Sequence, residues 1–250
     1  MVVKIKYALM FIIIFSFSSA SFAATIVGGH ISQDTIWTNA GSPYIIDHDE
    51  GLYVNEGSTL IIKPGVRVEA YGGWLRVDGQ LLARGTAENP IIFTSAYADP
   101  EPVDWTGINF SETAIGAIYS DTGEYVAGSI IEYSTIELSI YGIKADESAP
   151  FLSHVTIQNC TEGLSLNNIT SMHIQNSNFI KNNSLAINSK INLLLSISGC
   201  TFTENGREGC IICKIYGFKS SASVLISDSV FTEVSRFSAM ARKLRTWSNF

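Results

Sequence analysis

The chain has 250 residues, of which 46% are hydrophobic and 16% charged, and its formal net charge is −7. The excess of acidic residues argues against nucleic acid and against an anionic membrane surface as partners, because both attract basic proteins. The same excess is compatible with calcium or with neutral glycans.

Residues 1–23 have the pattern of a Sec-type signal peptide. Lys4 and Lys6 precede an apolar run from Tyr7 to Phe17, and small residues follow up to Ala23, which is the order of a basic region, a hydrophobic region and a cleavage site. The run is shorter than the roughly 20 residues that span a membrane. We therefore predict that residues 1–23 are removed. The remaining chain has 14 basic and 23 acidic residues, a formal charge of −9.

No second apolar run of spanning length follows, so we predict no transmembrane segment in the mature chain. The mature protein is expected to be secreted or held at a cell surface, with a bacterial envelope as the expected compartment.

Residues 24–40 are mixed in character and are predicted to lead into the first of a series of short strands. From Tyr44 to Ser95, apolar and β-branched runs alternate with turn signals, among them Pro64-Gly65 and Asp78-Gly79. These dipeptides favour tight turns, and the alternation favours half-buried strands. This part of the chain therefore predicts closely spaced β-strands.

A short phrase recurs in the second half of the chain. Each copy places two large apolar residues five positions apart, with small or polar residues between them. The first apolar residues of the copies are Ile131, Leu152, Ile174, Ile197 and Ile226, so that the steps are 21, 22, 23 and 29 residues. A period in the low twenties is too short for a propeller blade or a two-helix repeat, and it suits one coil of a solenoid of short strands.

The spacing within each copy fits a strand that ends, turns a corner and begins again. The residues between the apolar positions, such as Asn176-Ser177 and Asp228-Ser229, are good turn formers. In two successive copies an asparagine, Asn182 or Asn205, follows the second apolar residue by three positions. We predict that these asparagines stack along the axis and bond to each other and to the backbone. A leucine-rich-repeat horseshoe is the weaker alternative, because the leucines of its consensus are absent.

Residues 58–95 resemble the opening coils of exported right-handed parallel β-helix repeat proteins of the pectin-lyase-like superfamily. The phrases that carry the resemblance are Ile62-Lys63-Pro64-Gly65-Val66, the run from Leu75 to Ser95, and Trp105-Thr106-Gly107-Ile108-Asn109-Phe110, which matches the family's W-x-G-I-x-F. With the later repeats the resemblance covers roughly residues 44–235.

The resemblance implies an all-β fold, a right-handed parallel β-helix that forms a single-stranded solenoid of about 8–9 coils. After the signal peptide, residues 24–235 are then one domain. Residues 236–250 are a C-terminal tail or cap, or the truncated end of a longer chain.

Three excursions leave the predicted coils, at residues 96–104, 111–128 and 206–223. Long insertions often form the binding face of a solenoid. Aromatic side chains in or near the first two are candidate platforms for sugar rings, and they are Tyr97, Trp105, Tyr119 and Tyr125. For Trp105, packing in the core as part of the family phrase is the alternative.

Asp47, Asp49 and Glu50 lie in one short loop. They are candidate calcium ligands, because alternate oxygens along a loop suit that ion. The alternative is a solvated turn between two strands, since no D-x-D-x-D-G pattern is completed.

Four cysteines, Cys160, Cys200, Cys210 and Cys213, permit disulfides in an exported protein. The last two have the spacing of a redox or zinc pair, but neither a βαβ context nor a second such pair accompanies them. We therefore predict buried or paired structural cysteines, and no cofactor other than calcium.

Enzymes of the superfamily that this chain resembles carry phrases such as N-T-D, D-D, G-H-G and R-I-K, and none of these occurs here. The first functional hypothesis is an exported, non-catalytic module for glycan binding, adhesion or scaffolding. The alternative is a polysaccharide lyase or glycoside hydrolase that acts on a polyuronate or related glycan, because the same fold hosts both kinds of protein.

Overall fold

The computed structural model describes residues 23–47, 50–190, 194–206 and 223–232. Within these residues the regular secondary structure is β-strand, apart from one short 3₁₀ helix at Asn39–Gly41. The strands stack in parallel into a solenoid of about 8 turns, which confirms the predicted fold class. No helix in the described ranges is long and apolar enough to cross a membrane.

Three walls run along the solenoid, and the chain visits them in a fixed order. The first wall contains β3 (Thr35–Trp37), β6 (Thr59–Ile62), β9 (Gln80–Arg84), β14 (Ile130–Glu137), β16 (Phe151–Gln158), β18 (Ser171–Gln175), β21 (Leu194–Ser198) and β23 (Ser223–Ser227). The second wall contains β1 (Thr25–Val27), β4 (Tyr44–Ile46), β7 (Arg67–Ala70), β10 (Ile91–Ser95), the second halves of β14 and β16, β19 (Asn178–Ile180), β22 (Thr201–Thr203) and β24 (Val230–Thr232).

The third wall is a separate seven-stranded sheet. It contains β2 (Gly29–Ile31), β5 (Leu52–Val54), β8 (Leu75–Val77), β11 (Ile108–Phe110), β15 (Tyr141–Asp146), β17 (Glu162–Asn167) and β20 (Leu185–Lys190). Outside the walls, β12 (Ile118–Tyr119) and β13 (Tyr125–Ala127) form an antiparallel hairpin.

The five repeat copies are consecutive coils in exact sequence register. Their first apolar residues pair in order from Ile131 to Ile226 along the first wall, and their second apolar residues pair from Ile136 to Phe231 along the second. Stacking in register places the equivalent apolar residues of successive coils next to each other. The stack therefore buries a continuous apolar core that no coil could bury alone. The ring of Phe202 lies between those of Phe179 and Phe231, with centroids 4.9 and 5.0 Å away.

Each repeat turns its corner at one residue in the left-handed region. These corner residues, with φ between 43° and 63°, are Tyr133, His154, Asn176, Gly199 and Asp228. The residue that follows each corner residue points toward the interior. After Asn176, for example, the Ser177 hydroxyl accepts the backbone N–H of Val155 at 3.1 Å. The predicted corner is thus confirmed, and a single residue makes the bend.

A polar ladder runs inside the corner between the second and third walls. The Asn182 side chain is fully buried, and its Nδ2 donates to the Asn205 Oδ1 at 2.8 Å and to the Ile157 carbonyl at 3.1 Å. Its Oδ1 accepts the Cys160 N–H at 3.2 Å. The predicted asparagine stack is therefore confirmed, because the amides satisfy backbone groups that the bend leaves without ladder partners.

The first coil begins earlier than the sequence suggests. Residues 25–37 already supply β1, β2 and β3 instead of only leading into the first coil. Their short runs, such as Thr25–Val27 and Thr35–Trp37, are too brief for a periodicity argument, and pairing with the next coil defines them. The predicted C-terminal element at 236–250 lies outside the described residues.

Candidate functional site

The outer face of the third wall carries one column of side chains in register. Side chains of successive strands in a parallel sheet lie about 4.8 Å apart along such a column. Register pairs join its members in this order: His30, Tyr53, Arg76, Asn109, Lys144, Ser165 and Asn188. We call this row the third-wall column.

Rings occupy the end of the column nearest the N-terminal coil. The His30 and Tyr53 rings stack with centroids 4.8 Å apart and an interplanar angle of 17°, and Trp74 meets Tyr53 edge-on at 5.8 Å. Gly51 makes room for this arrangement, because a Cβ there would come within 2.9 Å of the indole of Trp74. The result is a cluster of aromatic faces and edges beside the polar part of the column.

Charged groups in the middle of the column are paired within their own strands or with the adjoining turn. The Arg76 Nε lies 2.8 Å from the Asp78 Oδ1, and the Lys144 Nζ lies 3.3 Å from the Asp146 Oδ2. Asn167 also donates to Asp146, at 2.8 Å. The hydrogen bond that Arg76 donates to Asp78 raises the pKa of Arg76 above its ordinary value, and the guanidinium is a permanent cation.

Two polar atoms on this side of the solenoid have no hydrogen-bond partner. Among the described residues they are the buried side-chain atoms Trp74 Nε1 and Asn109 Oδ1. Asn109 stands in the column between Arg76 and Lys144. Unsatisfied buried polar atoms are rare in folded proteins, so these two atoms are candidates for hydrogen bonds to a bound ligand or to water.

The first two predicted excursions border the third wall on opposite sides. Residues 96–104 precede β11 and lie along the corner with the second wall, where the Thr161 hydroxyl donates to the Pro102 carbonyl at 3.1 Å. Residues 111–117 follow β11 along the corner with the first wall, where the Ala117 N–H donates to the Ala149 carbonyl at 2.8 Å. The column therefore lies between two rims.

The predicted aromatic residues do not meet in one place. Trp105 is 2% exposed, and its indole N–H donates to the Glu137 carbonyl at 3.0 Å, so it packs in the core and offers no ring face to solvent. Tyr97 is 39% exposed on one rim and meets the equally exposed Tyr71 edge-on at 5.2 Å.

Tyr119 and Tyr125 lie on the hairpin, which folds over the outer face of the first wall. The rings of Tyr119 and His173 stack with centroids 4.0 Å apart, and the Tyr119 hydroxyl accepts the backbone N–H of His173 at 3.1 Å. The rings of Tyr125 and Phe151 stack with centroids 5.4 Å apart. Burial raises the pKa of Tyr119 to about 12 and lowers the pKa of His173. These rings cover apolar surface of the protein itself, so they add little free aromatic face.

The candidate calcium ligands are described only in part. Asp47 and Glu50 are both exposed beside the turn between β4 and β5, and Asp49 lies outside the described residues. Within those residues no three His, Cys, Asp or Glu side chains gather as metal ligands. The calcium site stays a prediction.

Cys160 and Cys200 are free and buried. Burial raises the pKa of Cys160 to about 11 and also raises the pKa of Cys200. Both thiols are therefore protonated and poorly reactive at neutral pH, in agreement with a structural role. Cys210 and Cys213 lie outside the described residues.

The sequence pattern of the N-terminal half matches a known family. Residues 29–128 match the family model described as a pectate-lyase like beta helix domain. Neither the curated proteins nor the solved structures gave a match to this chain. The family match and the parallel solenoid together confirm the resemblance to pectin-lyase-like β-helix proteins. The matched segment includes the aromatic end of the third-wall column and both rims.

Proposed function

We propose that the protein is an exported, non-catalytic β-helix module that binds an extended, neutral glycan along the third-wall column. The observation that carries the proposal is the column itself, in which rings at one end continue into hydrogen-bonding groups at the spacing of the coils. Sugars are bound by such combinations of aromatic faces and a few polar groups.

The charges of the column favour a neutral ligand over an acidic one. Arg76 and Lys144 each have an aspartate partner on the same face, so the face has little uncompensated positive charge with which to attract a polyuronate. The formal net charge of the chain, −7, also disfavours a polyanion. Binding is therefore expected to depend only weakly on salt.

The ion pair between Arg76 and Asp78 makes Arg76 a poor candidate for the base of a polyuronate lyase. A lyase needs a base that takes a proton, and the aspartate partner of Arg76 opposes that role. Adhesion would follow from glycan binding at a surface and needs no further site.

The test is to incubate the purified protein with neutral glycans and polyuronates, with and without calcium, and to measure both retention and new chain ends. We expect retention of a neutral glycan without new ends. New chain ends would establish the catalytic alternative, and no retention of any glycan would leave a scaffold as the better account.

Replacing Tyr53 by alanine is expected to weaken retention about fivefold, because a sugar–aromatic contact contributes on the order of 1 kcal/mol. Tyr133→Ala is the matched control, since Tyr133 also stacks on a histidine, His154 at 4.3 Å, but at a corner away from the third wall. Equal affinities for the two variants would show that the ligand does not lie on the third-wall column.

Export gives a separate prediction. When the whole chain is produced in a secreting bacterial host, the exported protein is expected to lack residues 1–23, because the cleavage pattern ends at Ala23. Intact mass and N-terminal sequencing measure this directly. A full-length product that stays in the membrane fraction would contradict it, and an Ile13→Arg variant, which places a charge within the hydrophobic region, should accumulate unprocessed.

A further inference from the structure

The N-terminal end of the solenoid is an open sheet edge. In the part of the chain that the structure describes, β1, β2 and β3 each pair with a strand on one side only, namely β4, β5 and β6. The Thr25 N–H donates to the Pro43 carbonyl, and the Val27 carbonyl accepts the Asp47 N–H. Because backbone groups alternate in direction along a strand, the N–H and C=O of Ile26 face away from β4 toward the open edge.

The core is incompletely covered at the same end. A hollow of about 300 Å³ opens between the walls and is lined by Ile26, Val27, Gly28, Ile31, Thr35, Trp37 and Leu52. Ile26, which lines it, is 63% exposed, and Ile36 in β3 is 56% exposed. Apolar surface and free strand edges together form a surface that pairs readily with another chain.

The usual protection against edge pairing is missing here. Natural edges carry lysine, other charged side chains or proline, but residues 23–46 contain a single charged residue, Asp34. The Asp34 carboxylate accepts the Thr59 N–H at 2.9 Å and so belongs to its own coil. In the processed chain this end has one positive group, the α-amino group of Ala24, and one negative side chain, Asp34, so its net charge is about zero and two such ends repel each other little.

We propose that two copies of the mature chain meet head to head at this end, with β1–β3 of one copy against β1–β3 of the other. The inference rests on the proposed export, because processing after Ala23 leaves one residue, Ala24, before Thr25, too little chain to cover the edge. An isologous contact buries the same surface on both copies and closes on itself, so it gives a dimer and not a fibre.

The test is sedimentation or light scattering of the exported protein over a range of concentrations, with its N-terminus verified by intact mass. We expect a monomer–dimer equilibrium that is at least about tenfold weaker in Ile26→Lys. Ile118→Lys is the matched control, because Ile118 is 54% exposed on the hairpin, away from this end, and it should leave the dimer unchanged. Ile26→Pro, which removes the outward N–H and keeps an apolar side chain, should also weaken the dimer.

A processed protein that stays monomeric overturns the proposal and assigns the edge to another occupant. A dimer that tolerates both Ile26 substitutions, or that Ile118→Lys disrupts, overturns it as well by placing the interface elsewhere. Intact mass measures processing independently of the oligomeric state. An uncleaved N-terminus would therefore contradict the proposed export and would be distinguished from a failure to dimerise. Glycan retention is measured independently of both.

Discussion

Gly107→Ala is expected to destabilise the protein by at least about 4 kcal/mol, enough to prevent folding of many single domains. Gly107 has a φ of 107°, which L-residues rarely adopt, and a Cβ there would lie 1.7 Å from the carbonyl oxygen of Tyr141. The opposing atoms are backbone of the next coil, and they are fixed because the Tyr141 N–H donates to the Thr106 carbonyl at 3.1 Å. The substitution therefore forces two coils apart.

Gly57→Ala is the control that separates this clash from backbone strain. Gly57 also has a positive φ, 77°, but no atom lies within 4 Å of the position of its Cβ. We expect it to cost only about 1–2 kcal/mol, the strain of the left-handed conformation. Urea unfolding of both variants measures the difference, and similar losses would mean that the close approach of the coils is not what requires glycine at 107.

The second half of the fold could be predicted in detail because its repeats indicate both the strands within each coil and the way the coils stack. The apolar residues five apart define the two walls of each coil, and the step between copies defines their stacking. Asn182 and Asn205 occupy the same position in successive copies of the repeat, so their contact could be predicted from the period alone. Residues 25–37 gave no such signal, since their strands are three residues long.

The third-wall column could not be predicted because its members share no residue type. His30, Tyr53 and Arg76 become neighbours only through strand pairing across coils of different length. Several aromatic residues in or near the excursions instead pack in the core or cover the first wall, such as Trp105 and Tyr119. A sequence gives the outward positions of a solenoid once its register is known, and the insertions at 96–104 and 111–128 concealed that register.

Asn182→Leu is expected to lower the free energy of unfolding by about 3–5 kcal/mol, although the leucine side chain has the same number of heavy atoms and is more apolar. The substitution removes the hydrogen bonds to Cys160, Ile157 and Asn205 in a site with no exposed surface. A lost hydrogen bond costs about 1 kcal/mol, and a buried donor left without an acceptor, here the Cys160 N–H, costs a further 1–3 kcal/mol. Burial of the more apolar side chain offsets part of this loss, which is why the expected total is about 3–5 kcal/mol.

Asn178→Leu, four residues earlier, is the control. It tests whether the loss of stability comes from breaking the buried ladder or from replacing any asparagine in this part of the coil. Asn178 lies on the outer face of the second wall, half-buried, with one long hydrogen bond of 3.4 Å to Thr156. Asn178→Leu should change stability by no more than about 0.5 kcal/mol, because water can serve the amide's partner there. If Asn182→Leu proved as mild as Asn178→Leu in urea unfolding, the core alone would hold the coils in register. A large difference between the two would show that the buried amides join neighbouring coils where the bend interrupts the sheet.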